Sequence, residues 1–229
     1  MDDTKYNIPV KEKIYLIIER TLDKIALTIP AFQRYINRKA ISKYGITFKT
    51  LNNTSEIDDV FHDYRFNDIR ETDIVMDIGA NVGAFSIFVS KMVKHVYAVE
   101  PMTHEILIEN IKLNKIENIS VLKEALGKGY LTLKWQGYKQ REVMCKSLKT
   151  LFQLTGNNVT FLKLDCEGGE WSINKDELNN VRRIEAEVHN LDGTHKLSDF
   201  LCMLDESNFR YTTETPRSGI MMLHAFKKD

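Results

Sequence analysis

The chain carries no excess charge of either sign. Its 32 Lys and Arg are matched by 32 Asp and Glu over 229 residues, which removes any global electrostatic attraction to nucleic acid or to an anionic membrane and leaves only local patches. Cysteine is scarce. Cys145, Cys166 and Cys202 are odd in number, widely spaced and without a CxxC pair, which argues against zinc or a redox dithiol and fits a reduced, cytoplasmic compartment. Long apolar runs are missing as well. The longest early one, Ile14 to Ile18, is closed off by Lys13 and Glu19 and falls far short of the ~20 residues that span a bilayer, so neither a transmembrane helix nor a secretory leader is expected. There is no internal repeat and no low-complexity segment.

What is there is ordinary for a globular protein: 43% hydrophobic and 28% charged residues, in a length that suits one α/β domain with a short extension. Residues 11–44 read as two helices. Ile14, Ile17, Ile18, Leu22, Ile25 and Ile29 recur at three- and four-residue spacing, Pro30 interrupts, and Phe32, Tyr35, Ile36 and Ala40 continue a stripe. The second stretch carries Arg34, Arg38, Lys39 and Lys43 without an acidic residue. It could meet lipid headgroups or RNA, although such runs are more often a solvated face. We therefore expect a helical extension over residues 1–58 and one domain over residues 59–229.

From about residue 72 short apolar runs alternate with amphipathic stretches: Ile74 to Ile78, Val82 to Met92, His95 to Val99, His104 to Leu113, Ile119 to Leu122. This alternation predicts strand–helix units and a doubly wound, mainly parallel α/β sheet of the Rossmann-like kind, seven-stranded in all. Tyr130 to Trp135 reads as an extra strand, Ser147 to Leu154 as a helix, Val159 to Leu164 and Arg183 to Val188 as strands, Leu197 to Glu206 as a helix, and Phe209 to Thr213 with Met221 to Phe226 as a closing antiparallel pair.

The chemistry concentrates where the first of these strands ends. Asp77-Ile-Gly79-Ala80-Asn81-Val82-Gly83 follows an apolar strand and opens a helix, the place where a sharp turn brings backbone and unpaired N–H groups toward a ligand. Glu100 ends the next strand, where a carboxylate can accept hydrogen bonds from ribose hydroxyls. Together they predict a nucleoside site, whereas a glycine turn alone is commonly structural. A nicotinamide-type loop prefers G-x-G-x-x-G against a pyrophosphate. Here Asn81 replaces the second glycine and Asp77 adds a negative charge, which favours S-adenosylmethionine, with its amino group and sulfonium, over NAD.

These residues carry a family resemblance. Asp77-Ile-Gly-Ala-Asn-Val-Gly-Ala-Phe-Ser, Tyr97-Ala-Val-Glu100-Pro101, Glu124-Ala125-Leu126-Gly127 and Leu162-Lys-Leu-Asp165-Cys-Glu167-Gly168-Gly-Glu170 resemble, in order, the motifs of class I S-adenosylmethionine-dependent methyltransferases of the FkbM type. The resemblance runs over roughly residues 60 to 190. It implies that Asp77, Gly79, Ala80, Asn81 and Gly83 hold the methionine part of the cofactor, Glu100 and Pro101 the ribose side, and Glu124 and Ala125 the adenine border. The Asp165 to Glu170 segment would face the transferred methyl group. Cys166 and Gly169 depart from the aliphatic residue and the alanine more usual in that family.

Methyl transfer needs a positioned acceptor and a base. Asp165, Glu167 and His189 are the catalytic candidates, with Glu170 a further carboxylate that could instead hold a backbone N–H, and His189 could equally be a structural imidazole. Glu185, Glu187 and His189 share one face of their strand, a polar row that is costly unless it lines a cleft or an edge. Asp165, Glu167, Glu187 and His189 could gather round a divalent ion, but no dense ligand spacing supports one and no metal is expected. Lys163 is placed to pair with a carboxylate, and Phe85, Tyr97 and Trp171 could wall the site or simply pack. After the fourth strand the chain reads Asp165-Cys-Glu-Gly rather than Asn/Asp-Pro-Pro-aromatic, which favours oxygen over nitrogen acceptors. The resemblance points to hydroxyls of sugars, lipids or secondary metabolites. RNA methylation, NAD-linked oxidoreduction and a non-catalytic cofactor-binding scaffold are the alternatives.

Overall fold

The structure, a computed structural model, describes residues 41–49, 60–133, 140–190, 193–217 and 219–228. Its centre is a seven-stranded sheet made of β3 (Ile74–Ile78), β4 (His95–Val99), β5 (Ile119–Leu122), β8 (Phe161–Leu164), β9 (Arg183–His189), β10 (Phe209–Arg217) and β11 (Ile220–Lys227). The order is β10-β11-β9-β8-β3-β4-β5. All neighbours pair parallel except β11, which runs antiparallel to both β9 and β10. The expected sheet, its strand number and its closing antiparallel pair are all present.

The central strands have the continuous apolar character that burial on two faces demands. Val75, Met76 and Ile78 of β3 and Phe161, Leu162 and Leu164 of β8 are buried. Helices α1 (Ala84–Val89), α2 (His104–Leu113), α3 (Leu148–Leu154) and α4 (Leu197–Glu206) join or flank the strands. The start of α3 follows from its sequence: Ser147 accepts from the Thr150 backbone N–H and caps the helix. Tyr130–Leu133 (β6) and Arg141–Met144 (β7) form a separate antiparallel ribbon rather than an addition to the main sheet. Residues 134 and 135 of the strand expected there lie outside the described residues.

The helices expected over residues 11–44 lie outside the described residues as far as residue 40, Arg34, Arg38 and Lys39 with them. At Ile41–Lys43 the expectation fails, because the chain there is a strand (β1) paired antiparallel with Ile46–Phe48 (β2). Tyr44 and Gly45 both have positive φ, 50° and 69°, the backbone a tight two-residue hairpin turn requires, and β-branched Ile46 and Thr47 suit the returning strand. Although the sequence places this hairpin in the extension, Ile46 and Phe48 are fully buried in one cluster with Ala84, Ile87, Leu107 and Ile111.

Candidate functional site

From β3 the chain moves outward through β4 to β5, then returns on the other side of β3 as β8. The carboxyl ends of β3, β4, β8 and β9 therefore meet where the strand order reverses, which is where an open α/β sheet leaves a crevice.

The glycine turn rises from β3 and leans on β4. Gly79 N–H and Ala80 N–H both donate to the Val99 carbonyl, at 3.0 and 3.2 Å, and Gly83 precedes α1. Gly79 has φ 79°, and a Cβ there would stand 1.7 Å from the Asp165 carbonyl oxygen. The glycine thus admits the protein's own backbone, the loop after β8, rather than a ligand.

Asp77 lies beneath this turn, with no exposure to solvent. Its Oδ2 accepts from the Ser86 hydroxyl at 2.6 Å, and its Oδ1 is 3.1 Å from Lys163 Nζ. Lys163, itself buried, also donates to the Gly79 carbonyl at 3.0 Å and sits 3.6 Å from Asp165 Oδ2. Burial works against its charge, but Asp77 and Asp165 prevail and push its pKa up to about 12. The ammonium facing Asp77 is that of Lys163, so this carboxylate orders the turn from below.

Glu100 behaves similarly at the tip of β4. Its Oε1 accepts from the Met102 and Thr103 N–H groups at 2.7 and 2.9 Å, and its Oε2 from Asn81 N–H at 3.0 Å. A carboxylate offers about four acceptor positions, so one is left for a ligand hydroxyl where the sequence suggests two bonds. Pro101 follows, half-buried. Glu124, half-buried, and Ala125, buried, follow β5, and the Ala125 carbonyl accepts from Lys146 N–H at 2.7 Å.

Across the crevice stands an acidic cluster. Asp165 leaves β8 with its side chain one-third exposed, and its Oδ2 accepts from the Tyr64 hydroxyl at 3.1 Å. Burial raises the Asp165 pKa to about 6; Lys163 opposes that rise and Glu187 adds to it. Tyr64, held far above its usual value by burial and by Asp165, remains a donor. His189, from the end of β9, has Nε2 at 3.3 Å from Glu187 Oε1, 3.6 Å from Glu167 Oε2 and 4.0 Å from Asp165 Oδ1. Burial favours neutral imidazole, yet the carboxylates of Glu170 and Glu187 beside it outweigh that and lift the pKa to about 10. Glu170 is fully buried. Its two oxygens accept from Cys166 N–H and Gly168 N–H, both at 2.8 Å, so this carboxylate holds the backbone of the loop after β8. Burial, followed by Glu170, raises the Cys166 thiol well above its ordinary range.

Two features of this arrangement differ from the sequence reading. Ligand-capable atoms of Asp165, Glu167 and His189 all lie within 4.8 Å of one another, because β8 and β9 are neighbours and both end here. The polar row on β9 divides: Glu187 and His189 reach the site, whereas Glu185 is buried away from it, binding Arg183, His224 Nδ1 at 2.7 Å and the Arg65 N–H at 2.9 Å. That internal network offsets the cost of the row without a cleft or an edge.

Tyr64 and Ser86 escaped the sequence reading. Ser86 is the last residue of the Asp77 motif and could have been found there; Tyr64 precedes β3 and carries no local signal. Of the aromatic residues, Phe85 packs against Tyr64, Phe66 and Phe161. Trp171 stacks on His195 and donates through Nε1 to the His189 carbonyl.

Comparison with known proteins agrees with this architecture. A family model described as the TRM5/TYW2 methyltransferase domain matches residues 65–149, and one described as a methyltransferase domain matches residues 110–219. An rRNA methylase from Streptococcus thermophilus superposes with TM-score 0.51 at 12% identity, over 76% of this chain and 95% of that one. SMU.1697c from Streptococcus mutans, solved in complex with SAH, gives TM-score 0.51 at 13% identity, over 70% and 91%. An uncharacterized protein of Methanocaldococcus jannaschii, MJ1452, is 37% identical over 57 residues, which are 24% of this chain and 22% of that protein. The sheet order and crevice are those of the Rossmann-like class I methyltransferase fold. Residues 65–149 and 110–219 are thus each similar to methyltransferase domains, neither match spanning half of the chain, and the chain spans under a quarter of the length of MJ1452. No helix among the described residues is long and apolar enough to cross a membrane.

Proposed function

We propose that this protein methylates a hydroxyl oxygen of a sugar, lipid or secondary metabolite, as its FkbM-type resemblance implies. The observation that carries the reading is the acidic cluster of Asp165, Glu167, Glu187 and His189 directly beside the glycine turn, joined to it by the contact between Gly79 and the Asp165 carbonyl. A hydroxyl must give up its proton as it attacks carbon, and a carboxylate with a pKa near 6 is ionised at neutral pH and able to receive it.

The chain's residues fit the cofactor. Ala80, Asn81 and Gly83 present the turn, Glu100 keeps an acceptor position for a ribose hydroxyl, and Glu124, Ala125 and Pro101 border the crevice. Asp77 acts through Lys163 and Ser86 to hold the turn in place. Bound there, S-adenosylmethionine supplies a methyl carbon activated by its sulfonium. Asp165, Glu167 and His189 then orient the acceptor hydroxyl, and the carboxylate cluster takes its proton.

Incubating the pure protein with labelled cofactor and fractionated extract tests this. Label is expected in a small-molecule, glycan or lipid fraction, and Asp165→Asn should lower turnover about 100-fold or more while leaving S-adenosylhomocysteine affinity within a few-fold. Label that ribonuclease releases would favour an RNA acceptor, the reading the TRM5/TYW2 match supports. A calorimetric signal with NADH and none with S-adenosylhomocysteine would mean an oxidoreductase, and cofactor binding without label in any fraction would mean a scaffold.

A further inference from the structure

We infer that Asp165, Glu167 and His189 form a divalent-cation site that receives the acceptor hydroxyl. The starting point is the environment of one imidazole nitrogen. Carboxylate oxygens of three residues, Glu187, Glu167 and Asp165, approach His189 Nε2 at 3.3, 3.6 and 4.0 Å. A proton on Nε2 points along one direction and serves one of them. A cation among them serves several. Ligand atoms about 2.0–2.2 Å from a metal stand roughly 3–3.5 Å from one another, so the three ligand atoms, which lie within 4.8 Å of one another, must draw together to close on an ion, and half-exposed Glu167 is free to do so.

The other side of the ring supplies an independent observation. His189 is 5% exposed, and its buried Nδ1 makes no hydrogen bond. It faces Glu170 Oε1 at 3.5 Å, and that oxygen is pinned by Cys166 N–H. A carboxylate behind one imidazole nitrogen fixes the tautomer that presents the other nitrogen as a lone pair, the usual outer-sphere arrangement of a metal-bound histidine. With Nδ1 turned to Glu170, Nε2 faces three carboxylates; a ring proton there answers one of them, whereas a divalent ion in its place would answer Asp165, Glu167 and the imidazole together.

Charge points the same way. Asp77, Asp165, Glu167, Glu170 and Glu187 surround one ammonium, Lys163, and one imidazole, and Lys163 is committed to Asp77 and the Gly79 carbonyl. The mouth is open on the side of Glu167, whose side chain is 55% exposed, so an ion can enter and keep positions for water or substrate. Two carboxylates with one imidazole suit Mn²⁺ or a similar divalent ion better than a thiol-seeking one.

That the ion serves methyl transfer rests on the reading proposed above; the ion site itself does not. With the acceptor hydroxyl held at the ion, its oxygen would bond to the methyl carbon, the carbon–sulfur bond would break with its electron pair left on sulfur, and the hydroxyl proton would pass to the Asp165 carboxylate, the proton acceptor named above.

The test is Mn²⁺ titration of the full-length, chelator-treated protein, followed by the paramagnetic resonance signal of free Mn²⁺, with S-adenosylhomocysteine binding measured by calorimetry on the same samples. One Mn²⁺ per chain is expected, weakened at least about tenfold in Glu167→Gln and in His189→Gln. Glu167 is exposed enough that its variant should fold, and retained S-adenosylhomocysteine affinity verifies that it does. Absence of saturable Mn²⁺ binding, or binding that Glu167→Gln leaves unaltered, overturns the site while S-adenosylhomocysteine binding keeps the methyltransferase reading alive. Mn²⁺ binding without S-adenosylhomocysteine affinity has the opposite meaning: the ion site stands and its role in methyl transfer falls.

Discussion

Gly79 and Asp165 meet backbone to backbone, so that a single added methyl at residue 79 would overlap the Asp165 carbonyl oxygen at 1.7 Å. Through this contact the turn proposed to hold the cofactor and the cluster proposed to hold the acceptor share a wall. A change to either moves both.

Gly79→Ala should therefore be felt in both. The left-handed backbone alone costs a side chain about 1–2 kcal/mol, and the overlap pushes the β8 loop outward. We expect a lower melting temperature together with loss of S-adenosylhomocysteine binding, measured by thermal unfolding and calorimetry. A variant that binds normally would show that the contact is not needed.

Lys163→Met should be worse for folding than Asp77→Asn. Removing the ammonium strands a buried carboxylate, a loss of about 3–5 kcal/mol for a broken buried pair, whereas the amide leaves no charge on the Asp77 side and can still accept from Ser86. Denaturant melts of the two variants compare them directly, since Lys163 without Asp77 keeps Asp165 and the Gly79 carbonyl; equal losses would mean that the stranded ammonium costs as much as the stranded carboxylate.

Glu100→Gln keeps the shape of the β4 tip but weakens its acceptor. Cofactor affinity should fall by about 1–3 kcal/mol with little change in turnover at saturating cofactor. Unchanged affinity would remove Glu100 from the binding residues.

Asp73 gives the acid sensitivity of the fold. Burial disfavours its charge, but hydrogen bonds from Arg182, the Arg70 N–H and Thr160 prevail and hold its pKa below the usual carboxylate value. The folded value being the lower one, ionised Asp73 contributes its full stability above the unfolded value of about 4 and loses it as pH falls through the folded value. Melting temperature should drop over that acid range in the wild type and less steeply in Asp73→Asn; parallel curves would assign the acid loss elsewhere.

Gly169→Ala would insert the residue more usual in the resembling family. Here a Cβ would lie 2.7 Å from the Leu126 carbonyl, so the loop after β5 must shift. We expect reduced stability and weaker cofactor binding, both recovered when Gly169 is restored; a neutral result would show that the Leu126 loop yields freely.

Much of this was legible in the chain. Period and length gave α4 at Leu197–Glu206 and α2 at His104–Leu113 with their observed bounds, since a strongly patterned helix needs little from its surroundings. The hairpin of residues 41–48 was not, because its short apolar run fits a helix as well as a strand until Tyr44 and Gly45 take positive φ and β2 finds α1 and α2 to pack against. For Glu170, composition allowed a catalytic acid or a backbone holder, and only the fold brought Cys166 N–H and Gly168 N–H to it.

The sequence by itself determined the sheet, the glycine turn after β3 and the carboxylates at the strand tips, because hydrophobic period and local turn chemistry act over a few residues. Only the tertiary structure decided that Asp77 faces Lys163 rather than open crevice, that Tyr64 reaches Asp165 from 101 residues away, and that Asp165, Glu167, Glu187 and His189 form one cluster. Those relations depend on which strands lie side by side, and strand order is set by packing across the whole sheet, which no local pattern encodes.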